Sequence, residues 1–107
     1  MDILSIKNAL ISVLNNEQAS EIQIFDVAAV TNLTDWMLIA TANSQPHLRH
    51  LVTAVKESCL KLGVKPLHIA DNRTGWSIID LGQLMIHLML DNERKFYSLE
   101  KLWTTMV

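Results

Sequence analysis

At the start of the chain the apolar residues Ile3, Ile6, Leu10, Val13 and Leu14 fall on one stripe at helical spacing, while Lys7, Asn8, Ser12 and Asn15 lie mostly off it. This predicts a helix over residues 3–14, with Asp2 as its N-cap or first-turn acid and residues 15–18 closing it. The period then changes. Glu21-Ile22-Gln23-Ile24-Phe25-Asp26 alternates polar and apolar positions, the mark of a half-buried strand, and residues 28–34 read as a loop. Trp36-Met37-Leu38-Ile39-Ala40-Thr41 is apolar almost throughout, which suits a central strand covered on both faces. Asn43-Ser44-Gln45-Pro46 then offers a cap and a first-turn proline. Leu48, Leu51, Val52, Val55, Cys59 and Leu62 keep helical spacing up to Gly63, predicting a second helix over about residues 44–62. The short connection Gly63-Val64-Lys65-Pro66 makes that helix a crossover element packed on a sheet.

Leu67-His68-Ile69-Ala70 is a third strand, and Asp71-Asn72-Arg73-Thr74-Gly75 is the strongest turn signal in the chain. Beyond it, two apolar runs flank a Gly-containing break, the pattern of a β-hairpin over residues 76–90. A two-residue loop of Leu81 and Gly82 sets Ile78 opposite Met85 and Trp76 opposite His87, with Asp80 on the same face. A three-residue loop moves His87 to the other face. The sequence leaves this register open, because Leu81 is a poor residue for the positive φ that a primed turn demands. The last helix begins near Asp91, with Asp91 and Glu93 in its first turn, and ends before Trp103. The order αββαβββα describes one α/β (α+β) domain spanning residues 1–107 around a five-stranded mixed sheet, with no internal repeat or linker.

With 107 residues, half of them hydrophobic, the chain can bury one core without staples. A formal net charge of −2 supplies no whole-protein positive field, so direct binding of nucleic acid is not expected. Cys59 is the only cysteine; no intramolecular disulfide is possible, and a buried thiol in a reducing cytoplasm is the expected state. The start Met1-Asp2-Ile3, with Lys7 and Asn8 close behind, lacks the cationic region and unbroken apolar run of a signal peptide. The longest apolar run, Leu84 to Leu90, is too short for a bilayer and is interrupted by His87. A cytoplasmic protein is the expectation, neither secreted nor embedded in membrane.

Candidate chemistry is sparse. Asp26, Asp35, Asp71 and Asp80 lie at strand ends or in loops, where catalytic acids are often found, yet such acids also serve as ordinary turn residues. A two-metal site of the kind nucleotidyltransferases use needs close carboxylates, and the chain contains no Asp-x-Asp pair. His47 and His50 share a helical face but lack a third ligand at a telling distance, and His87 has no nucleophile paired with it by motif. Glycines at 63, 75 and 82 form no phosphate loop. No catalytic residue, metal ligand or cofactor is therefore assigned. The terminal segment is different, since Arg94, Phe96, Tyr97 and Trp103 are residue types favoured as interface anchors. The competing structural role has Tyr97, Leu99 and Leu102 packing the helix on the sheet while Arg94 pairs with Glu93 or Glu100.

Trp76-Ser77-Ile78-Ile79-Asp80-Leu81-Gly82, the following His87, Glu93-Arg94-Lys95-Phe96-Tyr97 and Leu99-Glu100-Lys101-Leu102-Trp103 together resemble the signature of ribosomal silencing factor S, the Iojap-related family. Leu33-Thr34-Asp35-Trp36-Met37-Leu38-Ile39-Ala40-Thr41 and Asn43-Ser44 resemble its second-strand region, so the likeness covers about residues 22–103. The resemblance implies a nucleotidyltransferase-like fold without that enzyme activity. It also implies a factor that binds the large ribosomal subunit through the protein numbered fourteen on its intersubunit face, blocks joining of the small subunit and damps translation when nutrients are short. Asp71, Asp80 and Glu100 are candidates for complementing a basic partner, and Trp76, Arg94, Tyr97 and Trp103 for anchoring it. The chain departs from the family's pattern at Ala70-Asp71, where a Glu-Gly pair is usual, and at Gln83, where an Asp is usual. Ala40-Thr41-Ala42 also replaces a small glycine-containing run. The alternatives are a nucleotide- or metal-binding nucleotidyltransferase-like enzyme and a homodimeric adaptor.

Overall fold

The first helix, α1 (Ile3–Asn16), starts where extended Asp2 accepts the Ser5 N–H on its carboxylate at 2.8 Å. The computed structural model describes residues 2–71 and 75–97, with Asp71, Phe96 and Tyr97 described by their backbone. After α1 come β1 (Ser20–Asp26), β2 (Trp36–Ala42), α2 (Gln45–Leu62), β3 (His68–Asp71), β4 (Trp76–Asp80), β5 (Leu84–Leu90) and α3 (Asp91–Tyr97). The sequence places every one of these elements, with ends that shift by a residue or two. Ser44 caps α2 by accepting the His47 N–H, and Gly63 ends it in the left-handed conformation. The expected end of the last helix, before Trp103, lies outside the described residues.

The sheet runs β1-β2-β5-β4-β3. Strands β2 and β5 pair in parallel and the other neighbours antiparallel. A parallel pair needs cover on both faces. On one face Leu38, Ala40, Leu84, Ile86 and Leu88 pack against α1 and α2, which contribute Leu10, Leu14, Leu51, Val55 and Cys59 among others. On the opposite face Val27, Met37, Ile39 and Met89 form a smaller buried cluster, flanked by the half-buried Phe25, Val30, Trp76 and Met85. The prediction that β2 is central and doubly covered holds, since six of its seven residues are buried.

The hairpin register corrects the sequence reading. Ile78 stands opposite His87, Trp76 opposite Met89 and Asp80 opposite Met85. The whole pairing has slid by two residues from the register that a Leu81-Gly82 loop imposes. Leu81 N–H donates to the Leu84 carbonyl at 2.9 Å, so Gly82 and Gln83 are the central turn residues. Gly82 takes the first central position with φ of 91°, where a II′ turn wants glycine, and Leu81 is spared a conformation it resists. A slide of two preserves the faces, so Trp76, Ile78, Asp80, Met85, His87 and Met89 share one side of the sheet. The turn is tied down as well: Asp80 accepts the Gly82 N–H on its carboxylate at 2.8 Å, and the Gln83 carbonyl accepts the Asp35 and Trp36 N–H groups.

A side chain at 82 meets two penalties, a positive φ and the Leu67 Cδ1 atom 3.2 Å from the new Cβ. Gly82→Ala is expected to cost about 1–2 kcal/mol of stability. Gln83→Ala, at the exposed neighbouring turn position, should stay within about 0.5 kcal/mol. Urea unfolding of the two variants checks the pair.

Candidate functional site

The face of the sheet opposite α1 and α2 carries two of the sequence-predicted contact residues, Trp76 and Asp80. Trp76 opens β4 immediately after Gly75, half-buried against Met89 and its neighbours. Its indole Nε1–H donates to His87 Nδ1 at 2.9 Å, and the two ring centroids are 5.7 Å apart at a 41° tilt. The pair is a diagonal one across β4 and β5, a separation that large rings span readily. Because an indole nitrogen only donates, His87 Nδ1 accepts, and the neutral ring carries its proton on Nε2. That Nε2 is buried and has no hydrogen-bond partner. Burial also holds the His87 pKa down at about 4, so the ring is neutral at physiological pH.

Arg94 lies inside the structure, with 2% of its surface exposed. Its guanidinium donates to the Glu21 carbonyl, to Thr41 Oγ1 at 2.8 Å and to Gln23 Oε1 at 3.1 Å, and the Glu21 carboxylate stands 4.0 Å away. These partners on β1 and β2 are groups the sequence reading did not name, and Glu100, one of the two it did name, lies outside the described residues. The receiving backbone is irregular: β1 shifts register between Ser20 and Gln23, and Glu21 has a φ of 48°. Arg94 therefore clamps α3 to the β1–β2 edge, and touching a partner would require α3 to leave the sheet. Sequence reasoning missed Gln23 and Thr41 as its ligands. The one available signal was Thr41, a polar residue in the otherwise apolar β2.

Asp80 is on the predicted face, but its carboxylate serves the hairpin turn. Asp71 ends β3, and Tyr97 ends α3; the side chains of both, together with Glu100 and Trp103, lie outside the described residues. Asp26 accepts the Ala28 N–H at 3.4 Å as a local turn acid. The helix histidines are occupied too. His47 Nδ1 accepts the Asn43 N–H at 2.9 Å and its Nε2 reaches the Glu17 carbonyl at 2.8 Å, while His50 pairs with the Glu17 carboxylate at 2.6 Å. Among the described residues no three His, Cys, Asp or Glu side chains converge as metal ligands. Cys59 is buried, which pushes its thiol pKa up and makes it a poor nucleophile. A groove of about 610 Å³ lined by Lys56, Leu60, Val64, Pro66 and Ile69 lies where α2 ends over β3, on the helical side of the sheet.

Residues 2–106 match the family model described as ribosomal silencing factor during starvation. The chain is 32% identical over 95 residues to the ribosomal silencing factor RsfS of Haemophilus influenzae, an alignment covering 88% of this chain and 93% of that one. It is 35% identical over 101 residues to the mouse protein named mitochondrial assembly of ribosomal large subunit protein 1, covering 89% of this chain and 43% of the mouse protein. A crystal structure of a Chromobacterium violaceum protein is similar with a TM-score of 0.91 at 26% identity, covering 97% of this chain and 88% of that one.

The buried histidine sets a pH dependence. His87 has a pKa near 6.5 when unfolded and about 4 when folded, so below 6.5 the unfolded chain takes up the proton first. Stability is fully present above 6.5 and falls as pH drops toward 4, by up to about 3 kcal/mol from this group. Subtracting the urea stability of His87→Leu from that of the wild type at each pH isolates this slope. A second expectation concerns the clamp: Arg94→Met should cost about 2–3 kcal/mol, and hydrogen exchange should show α3 amides losing protection before those of β5.

Proposed function

We propose that this chain, which belongs to the ribosomal silencing factor family, binds the large ribosomal subunit at the protein numbered fourteen on its intersubunit face and thereby blocks joining of the small subunit. Translation is damped when nutrients are short, and the chain acts in the cytoplasm where ribosomes work. The observation that carries this reading is the placement of Trp76. It is a large aromatic, partly exposed, on the sheet face away from α1 and α2, and held in one orientation by a hydrogen bond. The mouse relative's name, which refers to assembly of the large subunit, supports that subunit as the target.

Steric blocking asks for a rigid occupied surface and no bond-making. The residues fit that demand: Asp26 and Asp80 are engaged in turns, and Arg94 fixes α3 beside the face. Nothing in the mechanism requires a cofactor. Among the described residues no helix is long and apolar enough to cross a membrane.

Sedimentation of the purified protein with dissociated ribosomal subunits tests the proposal. The protein should co-migrate with the large subunit alone and reduce reassociation when magnesium is raised. Trp76→Ala should weaken co-migration by about tenfold or more, the loss typical of a central aromatic anchor. Leu60→Ser, in the groove on the helical side, should leave it unchanged. Absence of co-migration at low and moderate salt overturns the proposal.

A further inference from the structure

An indole has a single hydrogen-bond donor, and the fold points that of Trp76 inward to His87 Nδ1. With that donor turned inward, what the partly exposed ring carries outward is carbon. This orientation is enforced by its surroundings. Met89 stands opposite Trp76 in the register, Ile78 stands opposite His87, and Val27, Met37 and Ile39 complete the apolar floor. If the indole turned its N–H toward solvent, His87 would be left with both ring nitrogens buried and unpartnered, because Nε2 already has no partner.

His87 is also an expensive residue for its position. It is 5% exposed, with Ile78 and Ile39 as its register neighbours on β4 and β2, and an aliphatic side chain there would bury no orphan polar atom. Packing gives no reason for an imidazole at this site. The acceptor that Trp76 uses does.

We propose that His87 is a positioning residue for binding: its Nδ1 fixes Trp76 so that the ring meets the partner through carbon and its N–H is withheld from any hydrogen-bond acceptor there. The proposal rests on the reading that Trp76 faces the large subunit. It separates two quantities that a merely structural residue would move together. Removing the acceptor while filling the space keeps the fold and loosens the contact.

The test uses the full chain, labelled with ¹⁵N, as wild type and as His87→Leu, His87→Asn and Trp76→Ala, with Trp76→Phe to assign the indole signal. Asn places its Oδ1 close to where Nδ1 stood, so it retains the acceptor. In His87→Leu the Trp76 indole N–H resonance should shift and exchange faster with solvent. Unfolding stability should equal or exceed that of the wild type, while sedimentation with large subunits weakens about fivefold, the loss of one hydrogen bond's ordering effect. His87→Asn should keep the indole resonance protected and binding within about twofold of wild type. An indole signal that His87→Leu leaves unmoved overturns the proposal, as does wild-type binding by His87→Leu or equal weakening by both variants. Wild-type binding by Trp76→Ala removes the surface reading itself, and the proposal with it. Should His87→Leu fail to fold, His87→Gln, which carries its acceptor away from the Nδ1 position, takes its place with the same expected shift and the same overturning results.

Discussion

The parallel pairing of β2 with β5 is the contact on which the rest of the molecule depends. Seven consecutive residues of each strand stand in register, from Trp36 with Leu84 to Ala42 with Leu90. Parallel strands cannot be joined by a tight turn and cannot leave a face wet, so this one pairing dictates both the crossover through α2 and the two-sided cover. The antiparallel neighbours are added at either side, β1 on β2 and the β4–β5 hairpin carrying β3. The Gln83 carbonyl, which receives the N–H groups of Asp35 and Trp36, joins the hairpin tip to the start of β2 and sets where that register begins.

Most of the fold was legible because burial and periodicity coincide. The continuous apolar run of β2, the alternation in β1 and the helical spacing of α1 and α2 each announce their own environment. The hairpin register was not legible to the same degree. Counting placed Leu81 and Gly82 in the loop, whereas turn chemistry prefers Gly82 first and Gln83 second, and the pairing follows the turn. Parity survived that slip, which is why Trp76, Asp80 and His87 still share a face.

The site was legible in residue type and less so in role. Arg94 has the chemistry of an interface anchor, but its ligands Gln23 and Thr41 lie 71 and 53 positions earlier in the chain, beyond the reach of any local pattern. Asp80 has the look of a partner-binding acid and is bound to its own turn. Trp76 remains as the described aromatic that combines partial exposure with a fixed orientation. A mixed five-stranded sheet with a crossover helix carries no chemistry of its own without the site residues. Here the scaffold's value is stiffness: a sheet whose central strands are buried on both sides changes shape little under load.

The spacing of the central strands also shapes the birth of the protein. Strand β2 begins at residue 36 and its partner β5 at residue 84, so 48 residues separate the most buried strand from the neighbour that covers one of its edges. At ordinary synthesis speeds the chain takes roughly 2–10 s to cover that distance. During that interval β1 alone can pair with β2, and the other edge of an apolar strand stays open to any passing β-rich chain. Strand β5 and the Arg94 clamp emerge almost together, so closure of the core and docking of α3 follow one another within moments. A damaged hairpin turn should therefore show itself first as lost yield in nascent chains, before any defect appears in the finished molecule.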